Sequence, residues 1–278
     1  MEKSANIFRF KKFSVVNERS AMKVNTDGVL LGSLMTILPD DRRFLDIGTG
    51  TGTIALMAAQ RVQGIPDQVG DDGVMVEDGI PGDVVIDAID IDEPSAMEAA
   101  VNFRNSPWSD MLYAHHVSLD DFVSLISESR APAVPDTGES PSGSCPEYDL
   151  IFSNPPYFDN ALQAPEGRRN AARHTSTGLS YREILDFASG HLTPQGRVAL
   201  VLPADTEHDL TRYARMSGLH LQKITRIRTA PRKAPSRIVT EFSHLRNDKP
   251  EDTILTIHNG GQYTPEYLSL MCEFYLFA

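Results

Sequence analysis

What most limits the fold of this chain is the run Phe44-Leu45-Asp46-Ile47-Gly48-Thr49-Gly50-Thr51-Gly52, followed by the helix-like stretch Thr53-Ile54-Ala55-Leu56-Met57-Ala58-Ala59-Gln60-Arg61. A short apolar segment, three alternating glycines and an apolar helical segment predict strand, tight turn and helix. Val84 to Asp90 reads as a second buried strand, and Glu93 to Arg104 as the next helix, with Pro94 in the first turn where a missing N–H costs nothing. Tyr148 to Phe152 and Arg197 to Leu202 read as two more strands. A helix over Tyr181 to Leu192 and a Pro194-Gln195-Gly196 turn precede the second of these. Strands alternating with helices predict an α/β fold with a doubly wound, mostly parallel sheet. After about residue 220, Ile224 to Ile227, Ile238 to Phe242 and Thr253 to His258 are expected to be strands, at least two of them forming an antiparallel edge.

Open sheets of this kind bind ligands beyond the carboxyl ends of their strands, which is where the glycine turn lies. Gly48, Gly50 and Gly52 let the backbone approach a ligand that side chains would hold away. The dinucleotide fingerprint G-x-G-x-x-G places its third glycine one residue later and aims amides at a pyrophosphate. The spacing here suits a ligand with an adenosine and a charged amino-acid tail but no phosphate, as in S-adenosylmethionine. Asp46 can attract such a ligand's positive charge, directly or through water. A glycine turn alone is as readily an ordinary turn; the added signal is Asp90 at the end of the next strand, where a carboxylate can accept two ribose hydroxyls. Gly48 and Asp90 are 42 positions apart, and removing the acidic segment 62–83 restores the spacing of about 20 found in nucleotide-binding units. Asp92 reads as a helix cap rather than a ligand contact.

Asn154-Pro155-Pro156-Tyr157 follows the 148–152 strand and so falls on the same edge. An exocyclic amino group on a heteroaromatic ring, like an amide nitrogen, is a poor nucleophile because its lone pair is delocalised. Two acceptors aimed at its two N–H bonds draw it toward a tetrahedral nitrogen. The Asn154 side-chain oxygen can be one and the Pro155 carbonyl the other, held by two consecutive prolines. Tyr157 offers a ring face to an extruded base. Asn-Pro and Pro-Pro are also ordinary loop dipeptides; what sets this motif apart is its order after the glycine loop and Asp90.

The 278 residues read as one domain carrying two insertions, at 62–83 and 130–147, whose Gly, Asp, Pro and Ser content predicts flexible segments. The sequence holds no long apolar run and no leader-like N-terminus, so a cytoplasmic protein with no membrane contact is expected. Cys145 and Cys272 read as plain thiols, and His115-His116 lack further ligands, so no metal site is expected. Trp108 reads as packing. The net charge of −12 opposes a nucleic-acid partner, yet residues 165–250 hold fifteen Lys or Arg against eight Asp or Glu, and residues 1–23 hold six against two. Two basic segments thus sit in an acidic chain.

With these motifs in place, the sequence resembles the class I amino-methyltransferases, and more closely the bacterial tRNA1(Val) adenine-N6 methyltransferases. The resemblance spans nearly the whole chain, including Phe8-Arg9-Phe10-Lys11-Lys12-Phe13 and Met22-Lys23-Val24-Asn25-Thr26-Asp27-Gly28. It implies a seven-stranded Rossmann-like sheet, S-adenosylmethionine as cofactor, a tRNA substrate methylated at N6 of adenosine 37, and an N-terminal segment, 1–40, covering the cofactor. It carries over Lys23, Thr26 and Asp27 as cofactor contacts, and Arg168, Arg169, Arg173 and His174 as RNA contacts. Where the family usually has an Asp beside the cofactor's adenine, this chain has Ser118-Leu119, with Asp120 and Asp121 following.

Two other readings compete. A release-factor glutamine-N5 methyltransferase faces the same chemical problem with the same four motif residues, but such enzymes usually add a helical N-terminal domain. A cofactor-binding RNA chaperone without turnover would not need Asn154 and Tyr157 intact. A DNA adenine methyltransferase would call for a target-recognition domain that the sequence does not display.

Overall fold

The computed structural model describes residues 6–64, 84–122, 124, 147–156 and 179–277. The chain opens with a hairpin of β1 (Ile7–Arg9) and β2 (Ser14–Val16), then α1 (Thr26–Leu34), β3 (Arg43–Ile47), α2 (Thr53–Gln63), β4 (Val85–Asp90), α3 (Glu93–Arg104), β5 (Leu112–His116) and β6 (Tyr148–Ser153). It continues through α4 (Tyr181–His191), β7 (Leu192–Pro203), α5 (Glu207–Met216), β8 (His220–Arg228), β9 (Arg237–Ser243) and β10 (Glu251–Thr256). A two-stranded ribbon of β11 (His258–Asn259) and β12 (Gln262–Tyr263) and the helix α6 (Pro265–Met271) complete it.

The expected fold class is present; among the described residues the sheet has eight strands, where seven were expected, in the order β10-β8-β9-β7-β6-β3-β4-β5. The antiparallel strand is β9, which lies between β7 and β8 and opposes both. The added strand, β10, extends the edge parallel to β8. Period-2 alternation places Phe44, Leu150 and Ala199 in the core under α1, α2 and α3, and Leu45, Ile151 and Leu200 in the core under α4 and α5.

Local chemistry fixes the helix starts. Ser180 and Glu183 form a reciprocal capping box at α4, and Asp92 caps α3 through Ser95 N–H, as expected for it. Two boundaries differ from the sequence reading. The 62–83 segment gives up its first two residues to α2: Val62 is core, and Gln63 accepts the indole N–H of the buried Trp108. β7 starts at Leu192, so Pro194-Gln195-Gly196 lies inside the strand beside a register shift between Tyr148 and Leu150. A Cβ at Gly196 would sit 2.5 Å from the Tyr148 carbonyl oxygen, which is why a glycine punctuates a strand there. The remainder of the two proposed insertions, apart from Gly64 and Glu147, lies outside the described residues.

The hairpin and the strap after it are pinned to α3. Buried Glu98 accepts the backbone N–H groups of Glu18, Arg19 and Ser20, and Asn102 exchanges two hydrogen bonds with the Val16 backbone while donating to Thr51 O. Replacing Glu98→Ala strands three donors at once; we expect a loss of about 2–4 kcal/mol in urea unfolding, with Glu98→Gln, which keeps an acceptor, losing less.

Candidate active site

Gly48, Gly50 and Gly52 have φ of 72°, 58° and 79°, a left-handed backbone that other residues rarely adopt. At Gly52 the demand is also steric, because a Cβ would fall 2.4 Å from Phe103 Cε1 of α3. Asp90, at the end of β4, grips this loop: one carboxylate oxygen accepts Gly50 N–H at 2.8 Å and the other accepts Asp92 N–H at 2.9 Å. A carboxylate has about four acceptor positions, so capacity for ligand hydroxyls remains on both oxygens. Burial raises the Asp90 pKa, and the two backbone bonds oppose that rise.

Asp46 is fully buried. Its Oδ2 accepts the Thr49 hydroxyl at 2.7 Å, while Oδ1 is buried with no hydrogen-bond partner among the described residues. Desolvation pushes its pKa up to about 7; the Thr49 bond pulls down, and the nearby Asp90 charge adds to the rise. A buried acceptor left unsatisfied beside a glycine cradle fits a ligand carrying a cationic tail.

A narrow cleft, open to solvent, runs between the glycine loop with Ile54 on one side and the strap residues Met22 to Asn25 with Gly28 on the other, and Asn154 joins its lining. Ser153 donates to Ile47 O at 2.6 Å, locking the ends of β6 and β3 side by side. The next residue, Asn154, is 5% exposed, and its amide nitrogen makes long hydrogen bonds of 3.5 Å to Asn25 Oδ1 and Met22 Sδ. Those contacts turn the nitrogen toward the strap and assign the other arm of the amide as the oxygen. Pro155 is buried and Pro156 half-buried behind it.

The structure thus brings Lys23, Gly48, Gly50 and Asn154 together in the cleft lining, with Gly52 in the same loop and Asp46 and Asp90 behind the lining, bonded to Thr49 and Gly50. Thr26 and Asp27 stand in the first turn of α1 outside the cleft lining, and the Asp27 carboxylate meets Arg237 Nε at 2.7 Å. Ser118 uses its hydroxyl to cap the helical turn that starts at residue 119, bonding Asp121 N–H and its carboxylate, and Leu119 packs on the core under α4 and α5. His115 pairs with Asp87 and His116 with Ile91 O. Tyr157, Arg168, Arg169, Arg173 and His174 lie outside the described residues. Sequence reasoning misses Asn25, which both caps α1 through Gly28 N–H and contacts Asn154. The signal for the cap was an Asn three residues before the amide it serves; its reach to residue 154 has no local signature.

No protein-family model matches the chain. Among solved structures it is similar to a predicted O-methyltransferase, protein Atu636 of Agrobacterium tumefaciens, with a TM-score of 0.54 and 16% identity, covering 89% of this chain and 96% of that one. It is also similar to the M protein of the type I restriction enzyme EcoKI, with a TM-score of 0.51 and 16% identity, covering 88% of this chain and 52% of that one. These likenesses are likenesses of fold. The glycine loop, Asp90 and the Asn-Pro-Pro segment lie on one sheet edge of this fold, which the chain shares with those methyltransferases.

In sequence the chain is 34% identical over 273 residues to the tRNA1(Val) (adenine(37)-N6)-methyltransferase of Bacteroides fragilis, covering 98% of this chain and 99% of that protein. It is 36% identical over 273 residues to the protein of that name from Flavobacterium johnsoniae, covering 97% and 99%, and 33% identical over 271 residues to the one from Trichodesmium erythraeum, covering 98% of both. The chain belongs to the tRNA1(Val) (adenine(37)-N6)-methyltransferase family.

The state of Asp46 yields a pH signature. Its folded-state pKa of about 7 lies above the ordinary 3.8, so through this group the ligand-free fold is favoured below the carboxylate range and loses that contribution as pH rises through 7. A cationic ligand favours the ionised form instead. Cofactor affinity measured by calorimetry is therefore expected to rise with pH up to about 7 and then level off, and Asp46→Asn is expected to flatten that rise. For Asn25, we expect Asn25→Ala to cost about 1 kcal/mol of stability through the lost cap and to lower kcat with cofactor affinity little changed. Asn25→Asp, which keeps an acceptor for both partners, is expected to restore most of kcat.

Proposed function

We propose that this chain methylates the N6 nitrogen of an adenosine in tRNA, the reaction for which its relatives are named. The observation that carries the reading is Asn154: a buried amide at the carboxyl end of β6, opening on the same cleft as the glycine loop, its nitrogen anchored to the strap. Bound S-adenosylmethionine supplies an electrophilic methyl group. Asp90 and the Gly48–Gly52 loop hold its nucleoside part, and Asp46 and Lys23 face the charged tail. Ser118 and Leu119 border its adenine.

The Asn154 oxygen and the Pro155 carbonyl each accept one N–H of the target amino group, and Tyr157 stacks on its ring. Polarised in this way, the nitrogen would take the methyl group in line as the methyl–sulfur bond breaks and S-adenosylhomocysteine leaves, and the surplus proton on the resulting ammonium would pass to water. No strong general base is required, so positioning and hydrogen-bond polarisation supply the rate. Arg168, Arg169, Arg173 and His174 contact RNA phosphates in this reading. A tRNA substrate supports a cytoplasmic location; among the described residues no helix is long and apolar enough to cross a membrane.

Incubation with labelled S-adenosylmethionine and unmodified tRNA tests the reading. Label is expected in N6-methyladenosine, and Asn154→Ala is expected to lower kcat by about 10²–10³-fold while cofactor affinity stays within about two-fold. Transfer to a release-factor glutamine and not to any tRNA would overturn the substrate; an Asn154→Ala enzyme with normal kcat would overturn the mechanism.

A further inference from the structure

The eight residues between β8 and β9, Thr229 to Ser236, leave the sheet on the same edge as the cleft. Register establishes this: Arg237 at the start of β9 lies opposite Pro203 at the carboxyl end of β7, and Ile227 near the end of β8 lies opposite Arg237. β7 in turn runs parallel to β6, whose carboxyl end delivers Asn154. The loop therefore stands two to three strand spacings from Asn154 along the edge, roughly 10–14 Å.

It is a built loop. Lys233 N–H donates to Ala230 O at 3.0 Å and Ser236 N–H to Ile227 O at 2.9 Å. Its base is tied to neighbours on both sides by Ala204 N–H to Ser236 O and His258 N–H to Thr229 O. Pro231 and Pro235 restrict it further. At its exit, Arg237 bonds Asp27, two residues beyond the Asn25 that contacts Asn154.

The charges of this region divide into two sets. Arg226 is held between Glu207 and Asp252, Arg197 by Asp41, Lys223 by Glu241 and Arg237 by Asp27, so these cations are spent inside the fold. The loop contains no acidic residue, and its Arg232 and Lys233 are exposed and meet no carboxylate among the described residues. Beneath them Arg228 bonds the Thr256 hydroxyl. In a chain of net charge −12, unneutralised cations on a rigid loop beside the cleft are the arrangement that draws a polyanion to one edge and repels it elsewhere.

We infer that the β8–β9 loop is a phosphate-binding clamp, in which Arg232 and Lys233 hold the sugar–phosphate backbone of the RNA strand whose target base enters the cleft. This rests on the proposed tRNA substrate and adds to it a site on the far side of Asn154 from the glycine loop. Phosphate contacts of this kind set register and affinity without reading sequence. A strand anchored there lays the nucleotides that flank the target across the ends of β7 and β9.

The test compares the full-length enzyme with Arg232→Ala/Lys233→Ala and with a control of equal charge loss, Arg246→Ala/Lys249→Ala. The control pair is exposed in the β9–β10 connection at the opposite edge of the sheet. tRNA affinity is measured by filter binding across a salt series, with cofactor affinity and thermal midpoint checked alongside. The loop variant is expected to bind tRNA about ten-fold or more weakly at low salt, to reduce the slope of log affinity against log salt by roughly 1.4–1.8, and to raise KM for tRNA with cofactor affinity and thermal midpoint unchanged. The control is expected to shift the slope by less than half as much.

Equal slopes for the loop variant and the unmodified enzyme would overturn the clamp. So would equal losses in the two variants, which would mark general electrostatics rather than a site. If the unmodified enzyme binds tRNA with the loop-dependent slope yet transfers no methyl to it, the clamp stands and the proposed reaction falls. If it methylates tRNA and the loop variant does so with unchanged KM, the reaction stands and the clamp falls.

Discussion

The close approach of Gly52 to Phe103 sets the positions of everything around the cleft. With no side chain at Gly52, the glycine loop settles directly onto α3, and a single added carbon would push the two apart. α3 then carries two further buried fastenings: Glu98, which collects three backbone amides of the strap, and Asn102, which ties the β2 backbone to the glycine loop through Thr51. The two walls of the cleft are thus referenced to one helix rather than to each other. The gap between them is fixed by bonds that a ligand does not have to make.

Within that frame the polar groups are left in different conditions. Asp90 accepts two backbone amides and holds the loop closed through Gly50. Asp46 carries an oxygen with no hydrogen-bond partner among the described residues, at a depth where its charge is costly. A fold that tolerates such a group holds a latent attraction for a positive partner, since the desolvation has already been met in folding. Asn154 stands between these cases, buried but oriented by a neighbour, Asn25, that has a structural duty of its own as a helix cap.

What could be read in the sequence follows from how far each residue's partner lies along the chain. The glycine loop, Asp90, the Asp92 cap and the Asn154 motif declare themselves because turn, strand end and helix start are set within a few residues, and their spacing survives an insertion once it is subtracted. Glu98 and Asn102 look like two polar residues on a helix; their partners are about 80 residues upstream. Asp27 reads as a cofactor contact from its motif, but Arg237, 210 residues later, is the group its carboxylate meets. The early start of β7 was hidden because Pro-Gln-Gly is ordinarily a turn, and only the close passage of the Tyr148 carbonyl reveals why the glycine is there. β10 was expected from Thr253 to His258 and lies two residues earlier, whereas β5, Leu112–His116, has only its first residue buried and ends in two histidines, so it lacks the apolar run that marked the others.

The hairpin that leads into the strap is also clasped by the end of the described chain. Lys11 bonds the carbonyls of Phe274 and Cys272 through its backbone and its ammonium, and Phe10 stacks on Tyr275 with ring centroids 5.9 Å apart. The Lys11–Cys272 contact closes a loop of 261 residues, so it forms late in any folding order governed by chain entropy. On a ribosome, the glycine loop and α3 emerge early and can find one another, while the hairpin waits for residues 272–275 before its second support exists. The wall of the cleft therefore takes its second support from residues 272–275, near the far end of the described chain, so its anchorage is complete only when that segment is in place.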